Sequence, residues 1–76
     1  MFGESYKDHY IISSAVYSEY IRCWTAKVTI YPPVSISLTP TILTGAEGFY
    51  RTESEAEKAA VLMGREWVMR GVLSEL

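Results

Sequence analysis

The sequence predicts a single two-layer α+β domain, in which a three-stranded antiparallel sheet packs against one C-terminal helix. The chain has 76 residues, which suits one domain. Three runs of β-forming residues fill its first part, and a run with helical spacing fills its last part. The order strand, strand, strand, helix is typical of two packed layers. We expect residues 1–8 to be a flexible N-terminus and residues 9–76 to form this β-β-β-α domain.

The first predicted strand covers residues 10–17, which are rich in β-branched and aromatic side chains. Ile12 and Val16 are candidates for the core. Because the alternation of apolar and polar residues is imperfect, either face of this strand can be the buried one. Ser18 and Glu19 are expected to form a tight turn into the next strand.

The second predicted strand, residues 20–31, has the clearest pattern in the chain. Its apolar and polar side chains alternate, as Trp24, Ala26, Val28 and Ile30 against Thr25, Lys27 and Thr29. A period of two places these sets on opposite faces of a strand, so one face should be buried and the other open. Pro32 and Pro33 end the strand, since proline cannot donate a ladder hydrogen bond.

The third predicted strand covers residues 34–44 and is interrupted by Pro40. Proline inside a strand places that strand at a sheet edge or at a bulge. The pattern therefore fits one interrupted edge strand or two short pieces. Gly45 and Gly48 are expected to bracket a turn.

The predicted helix covers residues 53–70. Thr52 and Glu55 match a capping box, with Thr52 as the N-cap. Gly71 is the expected C-cap. The inward face consists of residues at helical spacing, namely Ala56, Ala59, Ala60, Met63, Trp67 and Val68. We expect Trp24, Phe49 and Trp67 to fill the core beside the small alanines.

Two stretches of this sequence carry a family resemblance. The second strand contains Trp24, and the helix start YRTESEA at 50–56 has the form aromatic-x-Thr-x-x-Glu-Ala, with GREWV following at 64–68. This arrangement resembles a group of small uncharacterised bacterial β-β-β-α proteins over roughly residues 10–70. The resemblance implies the fold, and it implies no activity and no catalytic or binding residues.

A weaker similarity extends to DNA-binding β-β-β-α domains, such as plant AP2-type and integrase arm-binding domains. Those domains read DNA with the open face of the sheet, where this chain carries a single basic residue, Lys27. The net charge of −2 also argues against binding a phosphate backbone. Nucleic-acid binding is therefore the alternative function and not the leading one.

The composition also bears on disulfide bonds, metal sites and membrane contact. Cys23 is the single cysteine and His9 the single histidine, so an intrachain disulfide is excluded and a structural zinc site lacks ligands. No apolar run has the ~18 residues of a membrane span. The N-terminus lacks the basic and apolar segments of a signal peptide. We expect a cytoplasmic protein without cofactors and without membrane contact.

Three groups of side chains have residue types that can carry chemistry. Asp8 and His9 are adjacent, and neighbours on an extended chain point to opposite faces, so they are poorly placed to act as a pair. Cys23 has no cation predicted beside it to activate the thiol. The three glutamates at 53–57 suit the positive end of the helix better than a metal. We therefore expect no enzyme activity.

The function that the sequence favours is a small interaction module that self-associates or binds a protein partner. Tyrosines are enriched at interfaces, and four of them fall near predicted strand ends: Tyr10, Tyr17, Tyr20 and Tyr31. The predicted interaction surface is the open face of the second strand, with Ile21, Cys23, Thr25, Lys27, Thr29 and Tyr31. A homodimer is the simplest such assembly.

Overall fold

The computed structural model describes residues 1–36, 38–45 and 48–74. Its elements are β1 (Phe2–Tyr6), β2 (His9–Ser18), β3 (Cys23–Tyr31), β4 (Thr41–Thr44) and α1 (Glu53–Ser74). The strands form one antiparallel sheet in the order β1-β2-β3-β4. Helix α1 packs on one face of this sheet, mainly over β2 and β3. The predicted α+β class, with an antiparallel sheet and one C-terminal helix, is confirmed.

The predicted number of strands is wrong, because the sheet has four strands and not three. The extra strand, β1, lies within residues 1–8, for which the sequence predicts a flexible N-terminus. It pairs with β2 through a two-residue turn at Lys7 and Asp8, whose φ angles are 47° and 66°. This is the left-handed geometry of a type I′ hairpin. Lysine is an unusual residue for that turn, which is why the sequence pattern does not reveal it.

The buried face of β2 is the one that carries Ile11 and Ser13, both fully buried against α1. Ile11 lies opposite Ile30, and Ser13 lies opposite Val28, so the helix-facing side chains of β2 and β3 are in register. Ile12 therefore lies on the other face, and Val16 is exposed. The prediction that Ile12 and Val16 belong to the core is wrong.

Strand β3 confirms the predicted alternation for Ala26, Val28 and Ile30, which are buried, whereas Trp24 on the same face is only half-buried. The strand begins at Cys23, however, and residues 19–22 form the connecting turn. Arg22 closes this turn with a φ of 53°. Ile21 consequently lies in a turn and not in the strand that was predicted to begin at residue 20.

Only the C-terminal part of the predicted third strand is a strand in the structure, and this part is β4. Residues 34–36 form a turn, in which the amide of Ile36 donates to the carbonyl of Pro33 at 2.9 Å. Ser37, and the centre of the predicted turn between Gly45 and Gly48, lie outside the described residues. Beyond that turn the chain rejoins the sheet, where Tyr50 and Trp24 exchange two backbone hydrogen bonds of 2.8 Å.

Small residues bring α1 into direct contact with the sheet. Ala56, Ala60, Gly64 and Val68 recur every fourth residue and are buried. A Cβ atom added to Gly64 would lie 2.8 Å from Cγ2 of Ile11 and 2.9 Å from Cγ2 of Val28. So close an approach leaves little volume for large rings between the layers.

Phe49 and Trp67, which were predicted to fill the core, are instead 60% and 39% exposed. That prediction is wrong, and the close approach of α1 to the sheet is the physical reason. The aromatic contact that does form at this end of the sheet joins two strands. Tyr17 and Trp24 lie opposite each other, with an edge-to-face geometry and 5.2 Å between ring centroids.

The two ends of α1 differ in how well the sequence predicts them. The helix begins at Glu53, and the amide of Glu55 donates to Oγ1 of Thr52 at 3.2 Å, which confirms the N-cap. The predicted end is wrong, because the helix continues through Gly71 to Ser74. Gly71 is a helical residue here and not a C-cap.

Replacing Thr52 with alanine should destabilise the domain by about 1 kcal/mol, because the substitution removes the side-chain acceptor of the N-cap. Ser54→Ala is the matched control, since Ser54 is an exposed residue inside the first turn. Urea denaturation of the two variants checks this. Equal midpoints for Thr52→Ala and Ser54→Ala would show that the cap does not contribute.

Candidate functional site

The face of the sheet opposite α1 is not covered by any described element, and we call it the open face. The pairing of β2 with β3 determines which side chains lie next to each other at the centre of the open face. Across the two strands, these rows of neighbouring side chains pair Tyr10 with Tyr31, Ile12 with Thr29, Ser14 with Lys27, Val16 with Thr25 and Ser18 with Cys23. Ile42 and Thr44 of β4 extend the rows of Thr29 and Lys27.

The structure brings most of the predicted surface residues onto this one face. Residues at alternate positions of β3 share a side of the sheet, and the five concerned are Cys23, Thr25, Lys27, Thr29 and Tyr31. Ile21 is the exception, because it lies in the turn before β3, where it is exposed. The sequence alone does not identify which residues of β2 and β4 join this face, since that depends on the register between strands.

One end of the open face is distinctly apolar, and we call it the tyrosine patch. It consists of Tyr10, Ile12, Thr29, Tyr31 and Ile42, which are neighbours across β2, β3 and β4. Tyr10, Tyr31 and Ile42 are 47%, 43% and 57% exposed. β-Branched and aromatic residues suit a strand, but these three side chains keep much of their apolar surface in water.

The tyrosine patch also reaches β1, because the ring of Tyr10 lies across Gly3. A Cβ atom added to Gly3 would be 2.4 Å from the hydroxyl oxygen of Tyr10. Glycine at this position therefore leaves room for the hydroxyl end of the Tyr10 ring beside the edge strand.

Lys27 is the single charged side chain on the described part of the open face, and it lies near its centre. It is half-buried, and its backbone carbonyl accepts a hydrogen bond from Oγ of Ser14 at 3.4 Å. In the next row, Oγ1 of Thr25 donates to the carbonyl of Val16 at 3.3 Å. Lys27 thus separates the tyrosine patch from a more polar end of the face.

The ion pairs of the described residues lie on the helix side of the molecule. Nε and Nη2 of Arg65 donate to the two carboxylate oxygens of Glu4 at 2.8 and 2.7 Å, which ties β1 to α1. This bidentate contact lowers the pKa of Glu4. The amino group of Met1 pairs with Glu57. Glu4 and Glu57 therefore form their ion pairs on the helix side and not on the open face.

The residues considered for chemistry do not come together. Nδ1 of His9 lies 2.8 Å from the carbonyl oxygen of Lys7, next to the hairpin turn that contains Asp8. Cys23 is a free, half-buried thiol at the far end of the sheet. Within the described residues, no three histidine, cysteine or acidic side chains cluster in a way that could hold a metal ion.

Comparison of the chain with protein-family models, with curated proteins and with solved structures finds no match. Function is therefore argued from the geometry of the described surface. In that part of the chain, no helix combines the length and the apolar character needed to cross a membrane.

Proposed function

We propose that this chain is a small non-catalytic interaction module that self-associates through the open face of its sheet. The observation that carries the proposal is the tyrosine patch, where Tyr10, Tyr31 and Ile42 are exposed together on one side of the molecule. Tyrosine gives a large contact area with a polar end, which is why it is enriched at interfaces. The free thiol of Cys23 fits a reducing compartment, so we place this function in the cytoplasm.

A second copy of the chain is the occupant that we propose for this face. Stacked sheets pack about 10 Å apart, and a two-fold dimer would give each small core a further apolar layer. The backbone of the four strands covers an area of about 450 Å², which does not include the additional surface of the side chains. Stable interfaces bury about 800 Å² per partner, so the expected dimer is weak and forms at high micromolar concentration.

The position of Lys27 favours a two-fold axis away from the centre of the open face. An axis through the centre of the open face would bring the two Lys27 ammonium groups together, which is unfavourable. An axis through the tyrosine patch places both lysines at the rim, where they remain in water. We therefore propose that the dimer is offset toward Tyr10, Tyr31 and Ile42.

Replacing Ile42 with lysine should dissociate this dimer, because the two-fold axis would bring the new charges close together in an apolar contact. Leu38→Lys is the matched control, since Leu38 is 82% exposed in the loop before β4. Sedimentation equilibrium from ~10 µM to the high micromolar range compares the two variants with the native chain.

We expect the weight-average mass of the native chain and of Leu38→Lys to rise above 8.6 kDa with concentration, while Ile42→Lys stays at 8.6 kDa. Circular dichroism should be the same for all three. A native chain that remains at 8.6 kDa throughout would end the proposal. A dimer that Ile42→Lys leaves intact would exclude the tyrosine patch as the contact.

A further inference from the structure

A second apolar surface lies on the other side of the sheet, between β1 and α1. It is a groove of about 470 Å³, which we call the edge groove. Phe2 lines it from the strand, and Ser54, Glu57, Lys58, Val61, Leu62 and Arg65 line it from the helix. Phe2 and Leu62 are 49% and 65% exposed, so the groove presents apolar side chains to water.

The strand beside this groove has unpaired backbone groups. In a two-residue hairpin the residues that flank the turn, Tyr6 and His9, form a hydrogen-bonded pair, and the pairing alternates from there. Glu4 and Phe2 therefore direct their backbone groups toward β2. Gly3 and Ser5 direct theirs outward, because β1 is at the edge of the sheet. An extended chain can pair with such an edge.

The edge groove and the free edge match in length and direction. The helical stripe from Ser54 to Arg65 is about 17 Å long, and a five-residue strand such as β1 is also about 17 Å long. The two elements run in the same direction past the groove, because Met1 contacts Glu57 while Glu4 contacts Arg65. An added strand could therefore pair with β1 and direct alternate side chains into the groove.

The charges around the groove favour an acidic ligand. Arg65 is paired with Glu4, and Glu57 is paired with the amino group of Met1. The salt bridges of the described residues do not include Lys58, which is exposed on the rim. A carboxylate that enters beside the apolar lining would meet this cation at the end of the groove near Met1.

We propose that the edge groove binds an extended peptide segment of another protein as a fifth strand on β1. The segment carries apolar side chains at alternate positions, followed by an acidic residue for Lys58. A second copy of β1 fits less well. Antiparallel pairing that uses both Gly3 and Ser5 of each copy would place Glu4 directly opposite Glu4, and like charges in that position are destabilising.

The test uses a capped heptapeptide, Thr-Val-Thr-Phe-Thr-Glu-Thr, titrated into the ¹⁵N-labelled chain and followed by NMR. Its valine, phenylalanine and glutamate share one face of an extended strand. We expect saturable shifts at the amides of Gly3 and Ser5 and along residues 54–65. A control peptide with lysine in place of the glutamate should bind more weakly, because it would repel Lys58.

Two variants separate pairing with the edge from contact with the groove. Ser5→Pro removes an outward N–H that β2 does not use, so the fold should persist while peptide binding is lost. Leu62→Ser should weaken binding at least about tenfold, because it removes an exposed apolar side chain from the lining without adding a charge. Ile42→Lys, on the open face, should bind the peptide as the native chain does.

Three results would overturn this inference. One is the absence of saturable shifts at peptide concentrations up to ~1 mM, a range that covers weak binding. Another is binding that Ser5→Pro leaves unchanged while its spectrum shows an intact fold. The third is a response confined to the open face or accompanied by dimerisation through β1, which would assign the edge to a second copy.

Discussion

Replacing Ile11 with alanine should destabilise the domain by about 3 kcal/mol, the largest effect that we expect from a single substitution. Ile11 is fully buried and, together with Ile30, is one of the two largest fully buried side chains among the described residues. It contacts the helix where Gly64 allows the closest approach, so the surrounding backbone has little room to collapse into the cavity. Truncation of a buried isoleucine commonly costs about 2–5 kcal/mol for this reason.

Ile12→Ala is the control, since it removes the same atoms from the neighbouring residue on the open face. Ile12 is only half-buried, so we expect a loss of about 1 kcal/mol. Urea denaturation of both variants gives the two free energies of unfolding. Equal losses, or a larger loss for Ile12→Ala, would mean that β2 presents its other face to the helix.

Replacing Gly64 with alanine should also destabilise the domain, although alanine is the better helix former by about 1 kcal/mol. The new methyl group would lie 2.8 and 2.9 Å from methyl carbons of Ile11 and Val28, which are held in the core. Overpacking of this kind costs about 1–3 kcal/mol. We therefore expect a net loss of about 1 kcal/mol or more.

Gly71→Ala is the matched control, because Gly71 is an exposed residue of the same helix, and among the described residues beyond its own helical turn no atom lies within 4 Å of an added Cβ. It should raise the free energy of unfolding by up to about 1 kcal/mol. Thermal and urea denaturation should thus show that Gly64→Ala lowers the free energy of unfolding and that Gly71→Ala raises it. A stabilising Gly64→Ala would contradict the close contact between α1 and the sheet.

The sequence predicts best what depends on near neighbours. The start of α1 follows from Thr52 and the amide three residues later, and both belong to one turn. The alternation along β3 is likewise local. The end of α1 is less predictable, because Gly71 is compatible both with a helix interior and with a cap.

The buried face of β2 is not predictable from its own residues. Ile11 and Ile12 are adjacent and equally apolar, so either can face the core. Ser13 then obscures the pattern, because this polar residue is fully buried and its hydroxyl has no partner among the described residues. Pairing with Ile30 and Val28 decides the register, and that information lies in another strand.

Strand β1 depends on contacts that are distant in sequence. It contains glycine, serine and glutamate, which are weak strand formers, and its turn lacks the usual Asn-Gly pair. The contact of Glu4 with Arg65 joins residues 61 positions apart. The open face is likewise only partly predictable. The alternation along β3 identifies some of its residues, but Tyr10 and Ile42 can be assigned to it only once the pairing of the strands is known.

The central claim is that a second copy covers the open face at the tyrosine patch. The most direct measurement is an isotope-filtered NOE experiment on an equimolar mixture of ¹³C,¹⁵N-labelled and unlabelled chain, at a concentration where the mass exceeds 8.6 kDa. We predict intermolecular NOEs among the side chains of Tyr10, Tyr31 and Ile42. Intermolecular NOEs confined to α1 or β1 would contradict the claim, as would their absence in a sample that is dimeric.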